Sequence, residues 1–183
     1  MIPVPENAAA KMRRWLALMA VCLFCTACIW DETEHSDDIR VGDPLPAFTV
    51  TVRGDGAEHT VSAASLRGCV SVVTLFSVTC PDCRATMPEL QRAYEAFAPL
   101  GVRFLNISRA EGWDRVEAFW EEFGLTMPYS AQEDRTVYEL FAKSVVPRVY
   151  LSDENGIVRF LHTDDPTPDF STLQQELNSL LGR

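Results

Sequence analysis

Val70-Ser-Val-Val-Thr-Leu-Phe76 restricts the fold more than any other stretch of this chain. It is apolar at nearly every position, rich in β-branched side chains and without polar alternation. That pattern predicts a central strand covered on both faces. Cys80-Pro-Asp-Cys83 follows it directly. From Pro81 to about Phe97, Met87, Leu90, Tyr94 and Phe97 recur on one face, the period of a helix, and Gly101 stops it. A buried strand therefore gives way to a helix at a pair of cysteines.

The remaining pattern alternates in the same way. Phe48, Val50 and Val52 alternate with polar residues and predict a strand. Gly54-Asp-Gly56 marks a turn, and His59-Thr-Val61 returns as the second strand of a hairpin. Val102–Ile107 reads as another buried strand. Ser108 and Glu111 have capping-box spacing ahead of a helical stripe of Trp113, Val116, Trp120 and Phe123. A short helix is expected over about Arg135 to Ala142. Val149–Leu151 and Ile157–Leu161 flank a turn at Asp153–Gly156, and Phe170, Leu173, Leu177 and Leu180 stripe a final helix. The order β-β-β-α-β-α-(α)-β-β-α implies parallel pairing across the helices and an antiparallel hairpin late in the chain. The fold class is α/β, a mixed sheet flanked by helices, in one domain over 41–183 with no internal repeat.

The cysteine pair carries the chemistry. Two thiols three residues apart across the first helical turn can close a disulfide with little backbone movement. The helix N-terminus favours a thiolate on the first of them, and the thiolate is the nucleophile of disulfide exchange. Cys80 is thus expected to attack a substrate disulfide and Cys83 to resolve the mixed disulfide. Pro81, in the first turn, costs no hydrogen bond. A zinc site would need a second Cys or Cys/His pair at suitable spacing, and the chain has none. A static structural disulfide is the other alternative. Acidic residues outnumber basic ones 26 to 16, for a net charge of −10, which argues against a nucleic-acid partner.

Thr79-Cys-Pro-Asp-Cys-Arg-Ala-Thr-Met-Pro-Glu-Leu90 resembles the active-site segment of the thioredoxin superfamily, specifically its TlpA/ResA-like extracytoplasmic branch. The resemblance covers roughly Val41 to Leu181. It implies a thioredoxin-like sheet with an N-terminal β-hairpin extension and thiol-disulfide oxidoreductase activity, without a cofactor or metal. A second matching segment, Val145-Val-Pro-Arg-Val-Tyr-Leu-Ser-Asp-Glu-Asn-Gly156, implies a cis proline at Pro147 beside the cysteine pair. The Val146 backbone there would pair with an extended substrate strand. Three positions depart from the pattern. Thr79 replaces the Trp before the first Cys. Thr86 stands where relatives often carry a Glu, and Thr74 where cytoplasmic thioredoxins carry a buried Asp. Those carboxylates help the resolving thiol lose its proton. Asp82, inside the motif, is the nearest obvious carboxylate. Its charge opposes a Cys80 thiolate, so the couple is expected to be more reducing than a strongly oxidising disulfide-forming site. Cys69 is expected to be an unpaired structural thiol. Trp113, Trp120 and Tyr129 are expected in the core or at its rim.

The N-terminus reads as an export signal. Lys11, Arg13 and Arg14 precede an uncharged run from Trp15 to Ala27, too short to span a bilayer. Met12, directly before Arg13-Arg14, is the expected true start. Thr26-Ala27-Cys28 resembles the lipobox of bacterial lipoproteins, with Cys25 where Leu is usual. It implies a signal peptide over 1–27 and a lipid on Cys28. Cleavage there removes Lys11, Arg13, Arg14 and Glu6, leaving 13 basic and 25 acidic side chains, or −12. Residues 28–40, with five acids between Asp31 and Asp38, are expected to form a flexible tether. The expected function is a membrane-tethered oxidoreductase of the periplasm or cell envelope. It would act on exported proteins bearing disulfides or thiols and draw electrons from a membrane donor. Two alternatives compete. A peroxidase of the peroxiredoxin type needs a Pro-x-x-x-Thr-x-x-Cys pocket, which no cysteine here has. A copper-delivery module of the Sco type would use Cys80, Cys83 and His162, but it spaces its cysteines by three residues rather than two.

Overall fold

A computed structural model describes residues 38–54 and 56–183. The expected signal peptide, the expected lipidation site Cys28 and the expected tether up to residue 37 lie outside the described residues. Seven strands form one sheet in the order β2-β1-β5-β4-β3-β6-β7. They are β1 (Thr49–Gly54), β2 (Ala57–Ser62), β3 (Ser71–Phe76), β4 (Arg103–Ser108), β5 (Tyr129–Ser130), β6 (Arg148–Ser152) and β7 (Val158–His162). The helices are α1 (Pro81–Phe97), α2 (Trp113–Phe123), α3 (Thr136–Glu139) and α4 (Phe170–Leu180). This is the thioredoxin-like mixed sheet, with the N-terminal hairpin β1–β2 at one edge.

The apolar run reads out as its pattern requires. Every residue of β3 is buried, and Val73, Leu75 and Phe76 have no exposed surface. Full burial of each such side chain contributes about 1.5–3 kcal/mol relative to leaving it in water. β3 lies parallel to β4 and antiparallel to β6. Its polar pair with β6 is satisfied internally: Ser71 faces Ser152, with the hydroxyls 2.6 Å apart. Phe76 packs on Phe119 and Trp120 of α2, at ring centroid separations of 6.0 and 5.2 Å.

Register places the site. β6 runs back along β3 with Leu75 opposite Arg148. Pro147, one residue before β6, must therefore lie beside the loop that leaves β3 for Cys80. The helix face read from Met87, Leu90 and Phe97 is buried as expected. α1 passes into a 3-10 turn over Ala98–Leu100 and ends at Gly101, whose φ of 93° is left-handed backbone that glycine accepts without strain. α1 is tied to α4 by the Phe170 amide on Glu89 Oε2 (2.9 Å) and by Arg92 over the Phe170 ring (4.4 Å).

Four details differ from the sequence expectation. The domain does not start at Val41. Ile39 is 2% exposed and its amide donates to Phe141 O at 2.8 Å, so the last three residues of the expected tether, 38–40, belong to the fold. A single apolar residue just after an acidic run is a poor signal of that. β5, two residues long, was not expected; it bridges the hairpin to β4. The helix expected over 135–142 is one turn, Thr136–Glu139. Ser108 and Glu111 do not form a capping box: Gly112 is the N-cap of α2 and makes no side-chain cap. Ser108 Oγ instead donates to Glu111 O at 2.8 Å, which frees the Glu111 carboxylate for another partner.

Candidate functional site

Cys80 is the N-cap of α1, with extended backbone and Pro81 in the first turn. Its sulfur accepts the Cys83 amide at 3.2 Å, so the unpaired N–H groups of the helix end point at it. It is half-buried, and its thiol donates to Val146 O at 3.3 Å. The Val146–Pro147 peptide is cis, and both residues are buried. The structure thus brings together Cys80, Cys83, Val146 and Pro147, four residues named from sequence. Pro81 and Asp82 are exposed on the first turn.

Cys83 is a different kind of thiol. It has no exposed surface, and burial pushes it well above the ordinary thiol range. Its hydrogen bond with Cys80 adds to the rise, the Ser77 backbone amide opposes it, and the charges of Cys80 and Asp82 contribute least. Asp82, read from sequence as the carboxylate of this site, therefore acts on Cys83 weakly and from solvent. Cys80 and Cys83 are both free thiols here.

The departures have distinct fates. Thr86 is buried, and its hydroxyl donates to Asp82 O at 2.7 Å, inside its own helix. Among the described residues, Thr74 Oγ1 is the one buried side-chain oxygen or nitrogen without a hydrogen-bond partner. Neither replaces a carboxylate. The buried carboxylate near this end of β3 is Glu111, from another part of the chain. It is 7% exposed, and its Oε1 accepts from Ser77 Oγ at 2.5 Å. The Ser77 backbone also counts among the groups that lower the Cys83 pKa, against the effect of burial. Ser77, just before the cysteine pair, therefore holds a buried carboxylate at this end of β3. The helical start that Ser108-x-x-Glu111 mimics concealed this residue. No local signal separates a capping glutamate from one that turns inward.

The other candidates stand apart. Cys69 precedes β3 while Cys80 follows it, with about 20 Å of strand between them; it is free and half-buried. His162 Nε2 lies 2.7 Å from Glu176 Oε2, joining β7 to α4. Among the described residues no three His, Cys, Asp or Glu side chains are grouped as metal ligands. Trp120 and Tyr129 are buried and Trp113 lies at the rim, with the Arg53 guanidinium 4.1 Å from its ring.

The chain's relatives agree with this geometry. Over 142 residues it is 28% identical to the thiol-disulfide oxidoreductase ResA of Geobacillus thermodenitrificans, covering 78% of this chain and 79% of that one. It is 28% identical over 144 residues to the thiol:disulfide interchange protein DsbE of Pseudomonas aeruginosa, covering 77% and 76%. Among solved structures, it superposes with a TM-score of 0.71 on a Bacteroides thetaiotaomicron protein described as a candidate protein disulfide isomerase. That match is 26% identical and covers 79% of this chain and 92% of the other. A thioredoxin-family thiol:disulfide interchange protein from Chlorobium tepidum shares the fold with a TM-score of 0.64 at 24% identity, covering 80% and 100%. The AhpC/TSA family model matches residues 41–161, the whole sheet but for the last residue of β7, and the chain belongs to that thioredoxin-like family.

Proposed function

We propose that this thiol-disulfide oxidoreductase reduces disulfides of exported proteins by dithiol–disulfide exchange at Cys80-Pro-Asp-Cys83. The observation that carries the reading is the contrast within the pair. Cys80 is half-exposed on the helix N-terminus, and Cys83 is fully buried one turn behind it. The Cys80 thiolate attacks one sulfur of the substrate disulfide. That S–S bond breaks, the other substrate sulfur leaves as a thiolate and takes a proton, and a mixed disulfide forms on Cys80. Cys83 then loses its proton and attacks Cys80 Sγ. The second substrate sulfur leaves, the Cys80–Cys83 disulfide forms, and the substrate has gained two electrons. A dithiol donor at the membrane returns the site to its reduced form.

Glu111, held by the Ser77 hydroxyl, is the buried carboxylate that takes up the proton Cys83 loses. Val146, facing Cys80, pairs through its backbone with an extended substrate strand, and Pro147 shapes that surface. Pro81 and Asp82 tune the redox poise from within the motif. Relative to Cys80, the Thr and Pro positions of a peroxidatic pocket are Ser77 and Val73, so a disulfide is a better substrate than a peroxide. Signal peptide 1–27 would direct export, and after its removal a lipid on Cys28 and the acidic segment after it would hold the domain at the membrane in the periplasm or cell envelope.

The test is reduction of insulin by the full-length protein in detergent with dithiothreitol as electron source. Wild type is expected to accelerate insulin precipitation and Cys80→Ser to abolish the acceleration. Undiminished activity in Cys80→Ser would overturn the reading. A reduction potential for the pair then fixes the direction of electron flow.

A further inference from the structure

The wall opposite the cysteines is held by residues far from it in sequence. Arg148 follows Pro147 directly and is 7% exposed. Its guanidinium donates to Ser144 O through Nε (3.3 Å) and Nη2 (3.1 Å), and to Asp38 Oδ2 at 2.5 Å. The other oxygen of Asp38 accepts the Lys143 amide at 2.8 Å. Ile39, next to it, anchors this segment through its buried side chain and its bond to Phe141 O. Tyr138 donates its hydroxyl to Val145 O at 3.0 Å. The carbonyls of Phe141, Ser144 and Val145 are therefore all occupied by these anchors, while that of Val146 is left facing Cys80.

This loop does not hold its shape by itself. Val145 has a φ of 70°, left-handed backbone that a β-branched residue avoids. Such a conformation costs about 1–2 kcal/mol and persists only where the surroundings over-determine it. Arg148 supplies much of that determination, and a guanidinium so deeply buried needs an anion beside it. Asp38 is that anion. It ends the acidic run 31–38, all of which the sequence pattern assigns to a solvated tether.

We infer that Asp38 is a positioning residue for substrate. Through Arg148 and the Lys143 amide it fixes the Ser144–Pro147 loop so that the Val146 backbone meets the substrate strand at the distance Cys80 needs. The acidic segment thus ends on the substrate-binding wall, and not at an indifferent point of the surface. This inference rests on the proposed reading of Cys80 and Val146.

The experiment is insulin reduction by full-length wild type and Asp38→Asn, with kcat and KM resolved and Cys80 alkylation by iodoacetamide followed in parallel. Asn keeps an acceptor for the Lys143 amide and removes the charge from Arg148. The expected result is a KM raised at least three-fold, with kcat changed less than two-fold and the alkylation rate unaltered. An unchanged KM overturns the inference. So does a loss carried by kcat and alkylation together, which would place Asp38 among the groups that tune the thiol. An Asp38→Asn chain without native circular dichroism overturns it in favour of a purely structural role. Failure of the underlying reading is separate, because there wild type itself would not reduce insulin.

Discussion

The two walls of the site are built on different principles. The helix wall, Cys80 to Cys83, is local. Its two sulfurs, its proline and the amides aimed at Cys80 all come from one turn of α1, at the end of a strand whose burial is written in consecutive residues. The loop wall, Val145 to Arg148, is not. Its conformation is strained at Val145 and depends on Tyr138 and on Asp38, which lies 110 residues before Arg148 in the chain. The two thiols are thus specified by short-range sequence, and the loop proposed to present a substrate to them by long-range contacts. Damage to the first wall should abolish turnover. Damage to the second should weaken binding and leave the thiols reactive.

The largest effect is expected on the helix wall. Cys83→Ser removes the proposed resolving thiol while leaving the proposed nucleophile, Cys80. Multiple turnover should fall by three orders of magnitude or more, while a mixed disulfide accumulates on Cys80 and is visible on a non-reducing gel. Rapid turnover without a trapped adduct would show that Cys83 is not the resolving group. Glu111→Gln comes next. It keeps a partner for Ser77 and removes the carboxylate. Resolution of the mixed disulfide should slow by about 100-fold, the lower end of what a positioned base contributes, because water can partly substitute. The first step, formation of that disulfide, should be unaffected. Stopped-flow fluorescence separates the two, and equal slowing of both would remove Glu111 from the proton path.

The same contrast explains what the sequence disclosed. The central strand, the helix after it, both hairpins and the cysteine pair were legible because each is encoded by adjacent residues: a β-branched run, a 3.6-residue period, Gly-containing turns. Pro147 was legible only through resemblance, since Val-Pro alone marks a turn; register explains its place, through Leu75 opposite Arg148. Glu111 and Asp38 were misassigned for one physical reason. Both are acidic residues in polar surroundings, where the default is a cap or a solvated tether, and each is drawn inward by a partner distant in the chain, Ser77 or Arg148. β5 was missed because two residues carry no periodicity.

A smaller and pH-dependent effect distinguishes the buried thiol from its neighbour. In the unfolded chain a cysteine titrates near about pH 8.5, whereas burial keeps Cys83 protonated well above that in the fold. Unfolding above this pH therefore releases a proton. The stabilising contribution is complete below about pH 8.5 and is lost as pH rises, at about 1.4 kcal/mol per unit. Tyr129, Tyr138 and Tyr150 are also raised by burial, so the clean window lies between about pH 8.5 and 10. Denaturant melts of the reduced protein in that window should show this slope, and Cys83→Ala should flatten it. An identical slope in both proteins would mean that Cys83 ionises freely in the native site.

The smallest effect is expected at Val145, and it tests the loop wall directly. Glycine there would relieve about 1–2 kcal/mol of left-handed strain. It would also give back about 0.5–1 kcal/mol through the greater freedom of the unfolded chain. The Val145 side chain is 37% exposed, so little packing is lost with it. Val145→Gly should therefore leave global stability within about 1 kcal/mol of wild type. Substrate binding should still suffer, because the residue beside Val146 would no longer be confined to one conformation. A modest rise in KM, smaller than that of Asp38→Asn, with an unchanged melt is the expected pair of results. Destabilisation beyond about 2 kcal/mol would mean that the Val145 side chain is a packing element, and the loop wall would then be held by its own contacts as the helix wall is.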